Sequence, residues 1–248
     1  MVILSIGMPR AGSGWYYNLT NDLMLAHGAQ DARQIRQRYH LQSILTEVNC
    51  NIGALTPRRL LAVLIPSLLG NTFVIKAHAG PTSLASFLIR GGMIRPAYIY
   101  RDPRDAMLSA FENGQRALQK GRTNAFSHLV DFETSLKFMQ DYVRISDAWL
   151  KCKAALHTRY ESLLTDYEVE AQHLVTFLKL PLEDPATQSV IARYRPASAS
   201  DGDSQPDQKG LHFSHGKIGR FRQKMTPEEQ QAMAHAFGAY LNKMGYDI

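Results

Sequence analysis

The sequence predicts an α/β fold, a single domain spanning residues 1–248, with a central, mainly parallel sheet flanked by helices. Short runs rich in β-branched and aromatic residues, at Val2 to Ile6, Thr72 to Lys76, Ala97 to Tyr100 and Ala155 to Tyr160, have the length of buried strands. Segments of helical period separate them, and strands alternating with helices favour parallel pairing. The length of 248 residues supports a full α/β core near the limit of one domain.

The first strand opens directly into Gly7-Met8-Pro9-Arg10-Ala11-Gly12-Ser13-Gly14, and beyond it Trp15, Leu19, Leu23 and Ala26 recur at helical spacing. A glycine-rich turn between a strand and a helix N-terminus is an anion site, because free N–H groups and the positive end of the helix dipole face the turn. Gly7 and Gly12 keep the glycine spacing of the nucleotide-triphosphatase loop, but Ser13 stands where that loop needs lysine, and the cation lies three residues earlier at Arg10. A loop of this P-loop-like kind cradles phosphate without the lysine and hydroxyl used to split ATP with magnesium.

Residues 28–69 carry charges, short apolar clusters, Pro57 and Pro66, and read as helical covering material. The second strand ends at Lys76 and runs into Ala77-His78-Ala79-Gly80-Pro81, with a helix starting near Thr82. Lys76 and His78 therefore lie at the carboxyl end of a parallel strand, where doubly wound sheets bind ligands. The third strand ends in Arg101-Asp102-Pro103-Arg104-Asp105: Asp102 is suited to cap a helix whose first residue is Pro103, Asp105 sits in its first turn, and Ser109 follows two turns in. A long helix is expected from Phe126 to Leu150, its Met and aromatic residues facing the core, and another from Asp166 to Leu178. Pro196 to Gly210 is rich in Ser, Asp, Gly, Pro and Gln and reads as a mobile loop inside the domain. It leads to a glycine-spaced basic segment, Ser214 to Arg222, and then to the capping box Thr226-Pro227-Glu228-Glu229 of a last helix.

Lysine and arginine exceed aspartate and glutamate by 28 to 22, which suits an anionic ligand. The arginines are scattered instead of forming a stripe, so nucleic acid is not favoured. The two cysteines, Cys50 and Cys152, are too far apart for a metal-ligand motif and too few for a disulfide framework. No metal site is expected. The longest apolar run, Leu60 to Leu69, is short and contains Pro66, so no membrane span is expected and a cytoplasmic location is the reading.

Five separated pieces of the chain resemble the sulfotransferases that use 3′-phosphoadenosine-5′-phosphosulfate (PAPS). Pro9-Arg10-Ala11-Gly12-Ser13-Gly14-Trp15 aligns without a gap to their P-K-S-G-T-T-W loop, and Lys76-Ala77-His78 to their K-x-H strand end. Arg101 and Ser109 match an Arg and a Ser eight residues apart, Tyr160-Glu161 matches a Y-E-D-like segment, and Ser214-His215-Gly216-Lys217-Ile218-Gly219-Arg220-Phe221-Arg222 matches R-K-G-x-x-G-x-W-K. The chain departs from the family where Arg10 replaces lysine, Gly14 a hydroxyl residue, and Ser214 an arginine that grips the 3′-phosphate. Ser13, Lys217 and Arg220 are the residues available to cover those contacts.

The resemblance implies a PAPS-dependent transfer to a hydroxyl, without a required metal, leaving 3′-phosphoadenosine 5′-phosphate (PAP). Catalytic roles fall on His78 as general base, Arg10 at the leaving phosphate and Lys76 at the sulfuryl oxygens. The nucleotide falls to Arg10, Ala11, Gly12, Ser13, Gly14 and Trp15 at the 5′ side, with Trp15 stacked on adenine. Arg101, Ser109, Tyr160, Ser214, His215 and Gly216 complete the set. The acceptor could be a small molecule, a carbohydrate, a lipid alcohol or a carrier-bound hydroxyl, with walls from residues 30–69 and 112–131 and with Tyr16, Tyr17, Tyr39 and Phe111 as candidates. Two other readings stay open: a P-loop small-molecule kinase, and a homologue that binds PAP or PAPS without turnover.

Overall fold

The structure, a computed structural model, describes residues 1–196 and 217–248. Strands β1 (Val2–Gly7), β2 (Phe73–Ala77), β3 (Ile94–Tyr100) and β4 (Leu156–Arg159) form one parallel sheet in the order β2-β1-β3-β4. Every residue of β1 is buried, as a strand covered on both faces must be. Its side chains alternate between two cores: Val2, Leu4 and Ile6 enter one cluster and Ile3 the other. Because β1 pairs with β2 on one side and β3 on the other, the chain direction away from β1 reverses there, and a crevice opens at the carboxyl ends of these strands.

Helices α1 (Ser13–Ala26), α2 (Ala32–Arg38), α3 (Pro57–Leu68), α4 (Ser83–Arg90), α5 (Pro103–Gln119) and α6 (Phe132–Leu150) lie between Ser13 and β4. After β4 come α7 (Tyr160–Thr165), α8 (Tyr167–Leu178), α9 (Pro185–Tyr194), α10 (Phe221–Lys224) and α11 (Pro227–Met244). Leu60, Val63, Ala85 and Leu88 of α3 and α4 pack on one sheet face; Leu19, Leu23, Leu174 and Ile191 of α1, α8 and α9 pack on the other. A third cluster joins Met8 of the loop, Met107 of α5, Met139 of α6, Phe221 of α10 and Phe237 of α11 beyond the strand ends. The loop after β1 is therefore held by packing from below and from the side.

The boundaries of α6 and β3 differ from the sequence reading. α6 begins at Phe132, not Phe126, because Asp131 and Thr134 form a reciprocal capping box there. α3 continues through Pro66, which stands in its final turn; the Pro66 carbonyl accepts a 2.8 Å hydrogen bond from the Asn71 amide. β3 starts at Ile94, before Pro96: there β3 is paired only with β1, and β4 joins at Ala97, so the missing N–H leaves no ladder partner wanting on the β4 side. Among the described residues no helix is long and apolar enough to cross a membrane.

Candidate active site

The phosphate loop depends on two glycines for different reasons. A Cβ on Gly7 would lie 2.6 Å from Cβ of Ser13 and 2.9 Å from Ile99, so only glycine lets α1 start so close to β1. Gly12, at φ 72°, is the left-handed N-cap residue of α1, and a Cβ there would meet the Tyr160 ring at 2.7 Å. No side chain caps α1 and no acidic residue occupies its first turn. Its N-terminal dipole is thus uncompensated by the helix itself, and faces the loop.

Three basic side chains converge on this point. Strand geometry puts Lys76 and His78, two residues apart, on the same side of the chain. Lys76 is 6% exposed and has no carboxylate partner among the described residues. Burial and then the nearby Arg10 push its amine down to about 8. The His78 Nδ1 lies 2.6 Å from the Gly7 carbonyl oxygen. A carbonyl can only accept, so Nδ1 carries the hydrogen and the lone pair of the neutral ring is at Nε2. Burial, with Lys76 adding to it, pushes the imidazole down to about 4. Arg10 takes a left-handed backbone, φ 64°, and its Nε donates to Ser109 Oγ at 3.1 Å.

Arg101 lies under this group. Its Nη1 donates to the Arg10 carbonyl and its Nη2 to the Lys217 carbonyl, each at 3.1 Å, and its guanidinium lies 4.4 Å from the centre of the Tyr160 ring. The buried Nε has no hydrogen-bond partner among the described residues. Asp105 stands 3.5 Å from Arg101 and also accepts from the backbone N–H groups of Gly219 at 2.6 Å and Phe221 at 3.1 Å. That carboxylate fastens the returning segment 217–221 onto α5. Tyr160 and Glu161 open α7; Glu161 accepts from the Asp102 N–H and the Tyr246 hydroxyl, so it is a buried bracket between β3, β4 and the chain end.

The structure thus brings Arg10, Ala11, Gly12, Ser13, Gly14, Lys76, His78, Arg101, Ser109 and Tyr160 to one crevice. Trp15 is placed differently from the rest: its ring is 3% exposed, stacks on Tyr167 at 5.8 Å and donates its indole N–H to the Tyr194 carbonyl. Tyr16 and Tyr17 are fully buried core residues, which removes them from any acceptor wall. Apart from Pro196, the loop expected over 196–210 lies outside the described residues, as do Ser214, His215 and Gly216. Arg220 holds both oxygens of Glu112, at 3.0 and 2.7 Å.

An aromatic surface on α6 was not apparent from the sequence. Phe138, Tyr142 and Ile145, all partly buried, share one face by their spacing of four and three; Trp149, four residues on, ends that face in the core, fully buried against Tyr98. Trp149 donates to the Ala79 carbonyl at 3.0 Å, and Ile145 lies against Gly80. Phe138 touches both Tyr142 and Phe126, and the Arg10 guanidinium lies 5.8 Å from the Phe126 ring centre. This face therefore runs from the segment after His78 to Arg10. The segment carrying Phe126 approaches α5 at Gly114, where a Cβ would sit 2.2 Å from the Phe126 carbonyl oxygen. The signal was present as a helical period but is the same signal a core face gives.

Among the described residues no group of three or more His, Cys, Asp or Glu side chains is arranged to hold a metal ion. No curated protein sequence matches the chain significantly. Among solved structures, the fold resembles mouse sulfotransferase SULT7A1 complexed with PAP: TM-score 0.60 and 14% identity, over 97% of this chain and 84% of that one. It also resembles retinol dehydratase in complex with androsterone and PAP: TM-score 0.59 and 18% identity, over 100% of this chain and 82% of that one. At these identities the likeness establishes the fold. The sequence profile of the sulfotransferase domain matches residues 2–245, nearly end to end, and on that match the chain belongs to the sulfotransferase family.

Proposed function

We propose that the protein moves the sulfuryl group of PAPS onto a hydroxyl of an apolar acceptor by in-line transfer, with His78 as general base. The observation that carries this reading is Lys76: a buried amine with no carboxylate partner among the described residues, beside Arg10 and the uncapped start of α1, is stabilised in its charged form by a bound anion. The unpartnered buried Nε of Arg101 supports the same reading. Residues 10–15 and Lys76 would hold the 5′ side of the nucleotide, and Arg101 and Ser109 the 3′-phosphate.

When bound, the donor supplies an activated sulfuryl group whose departure leaves negative charge on the 5′-phosphate. Arg10 and the α1 N-terminus are set to stabilise that charge, and Lys76 orients the sulfuryl oxygens. The neutral His78 accepts the acceptor's proton at Nε2 while Nδ1–H stays on Gly7. Binding of anionic donor beside it raises the affinity of His78 for a proton above that of the empty site, by the same electrostatics that now depress it.

The aromatic α6 face leading from Gly80 to Phe126 favours an acceptor with an apolar body over a carbohydrate. Androsterone and retinol, seen in complex with retinol dehydratase, are alcohols of that kind. The test is calorimetric titration with PAP in EDTA, set against ATP with magnesium. Tight PAP binding that Arg101→Ala abolishes supports the reading; clear magnesium-dependent ATP binding with none of PAP overturns it in favour of a kinase.

A further inference from the structure

The cleft along α5 between Phe111 and Gln119 is more basic than the nucleotide residues named so far account for. It encloses about 530 Å³ between the outer half of α5 and segment 217–224, and Phe111, Glu112, Arg116, Lys217, Arg220 and Lys224 are among its lining. Four cations stand there against one carboxylate. Two of those five charges cancel, since both oxygens of Glu112 bind Arg220. Arg116 and Lys217 have no carboxylate partner among the described residues, and both are exposed at the cleft.

Two relations tie this cleft to the nucleotide crevice. Ser109, Glu112 and Arg116 follow one another at i, i+3 and i+7, so they share one face of α5. Lys217, across the cleft, gives its carbonyl to Arg101 Nη2 at 3.1 Å, which fixes that residue at the edge of the Arg101 guanidinium. Arg116 is also close enough for its charge to count among those that depress Arg10, after burial and Arg101. Removing Arg220 from consideration leaves Arg116, which no sequence motif marks, as the guanidinium able to complete the anion site.

We infer that Arg116, with Lys217 opposite it, holds the 3′-phosphate of the nucleotide and takes the place of the arginine that Ser214 lacks. This rests on the PAPS reading above. The role is one of selection: a bidentate guanidinium–phosphate pair distinguishes a nucleotide that carries the 3′-phosphate from one that does not.

The test measures affinities of PAP and of adenosine 5′-phosphate, which lacks only the 3′-phosphate, for the unsubstituted protein and for Arg116→Gln, Arg116→Lys and Lys217→Gln. Arg58→Gln, an exposed substitution on α3, controls for net charge. The expected result is a loss of PAP affinity of about tenfold or more in Arg116→Gln, with adenosine 5′-phosphate affinity unchanged and partial recovery in Arg116→Lys. Equal weakening of both nucleotides, or of neither, overturns the inference while leaving the PAPS reading standing. If the unsubstituted protein binds no PAP, the PAPS reading fails and the inference with it. Arg116 is exposed, so its substitution leaves the fold intact; circular dichroism of each variant verifies this.

Discussion

His78 points its Nδ1 at the carbonyl of Gly7, 2.6 Å away, and so ties the end of β2 to the last residue of β1 through a side chain. The bond fixes both the ring's orientation and its tautomer. His78→Asn can keep an N–H donor to Gly7 while removing the lone pair at the Nε2 position. The expected outcome is a fall in kcat of about 10²–10⁴ with PAP affinity within a factor of a few. Single-turnover sulfation together with PAP titration separates the two; an unchanged kcat removes His78 from the base role.

The same residue makes stability depend on pH. In the folded protein the imidazole is pushed down to about 4, by burial first and by Lys76 second, whereas in the unfolded chain it titrates near its ordinary value of about 6.5. Between those values the unfolded chain binds more protons, so stability increases with pH across that window and is lost as pH falls through it. His78→Asn should flatten this component. Urea unfolding at pH 5 and pH 7 for both proteins measures the difference, and identical slopes would remove His78 as its source.

Lys76 carries a burial cost in the empty site. Its amine is pushed down to about 8 by burial and by Arg10, so the folded state holds its proton less tightly than the unfolded chain. Lys76→Met is expected to stabilise the ligand-free protein at pH 7 by on the order of 2 kcal/mol, while sulfation drops at least tenfold. The stabilisation fades as pH rises from about 8 toward the ordinary lysine value, because the native amine is then neutral already. Denaturant midpoints at pH 7 and pH 10 check the sign.

Arg10 combines a left-handed backbone with a position among like charges. Arg10→Gly removes both penalties at once, and the glycine is at ease at φ 64°. Thermal unfolding of the ligand-free variant should show no loss of stability, and a gain of up to about 1 kcal/mol, alongside PAP binding weakened at least tenfold. Loss of stability would mean that the Arg10–Ser109 hydrogen bond outweighs the strain.

Asp105 is the anchor of segment 217–221. Its buried carboxylate accepts two backbone N–H bonds, from Gly219 and Phe221, and faces Arg101 at 3.5 Å. Asp105→Asn loses the charge and at least one acceptor, at an expected cost of about 2–4 kcal/mol in denaturant unfolding. Limited proteolysis should cut the variant near Arg220 or Arg222 faster than the parent; equal rates would show the segment held by other contacts.

The sheet, the loop and the residue pair Lys76 and His78 were legible because each is a local pattern: apolar runs, glycine spacing, and a two-residue step along a strand. That Arg101 and Ser109 sit on one strand–helix unit was legible for the same reason, but that Ser109 bonds Arg10 was not. What a linear pattern does not contain is which distant surfaces meet. Gly12 is required by the ring of Tyr160, 148 residues away in the chain, and Gly114 by the Phe126 carbonyl; neither partner follows from the glycine itself. Arg220 had the right charge and position in sequence to bind an anion, yet Glu112 from α5 occupies it, and Trp15 lies in the core against Tyr167. The α6 aromatics repeat at the period of any buried helix face, so the docking of α6 beside residues 79–80 is visible only in the tertiary structure. Local covalent geometry and periodicity determined the elements and their ends; long-range packing decided which charges remain uncompensated, and those are the ones a ligand must meet.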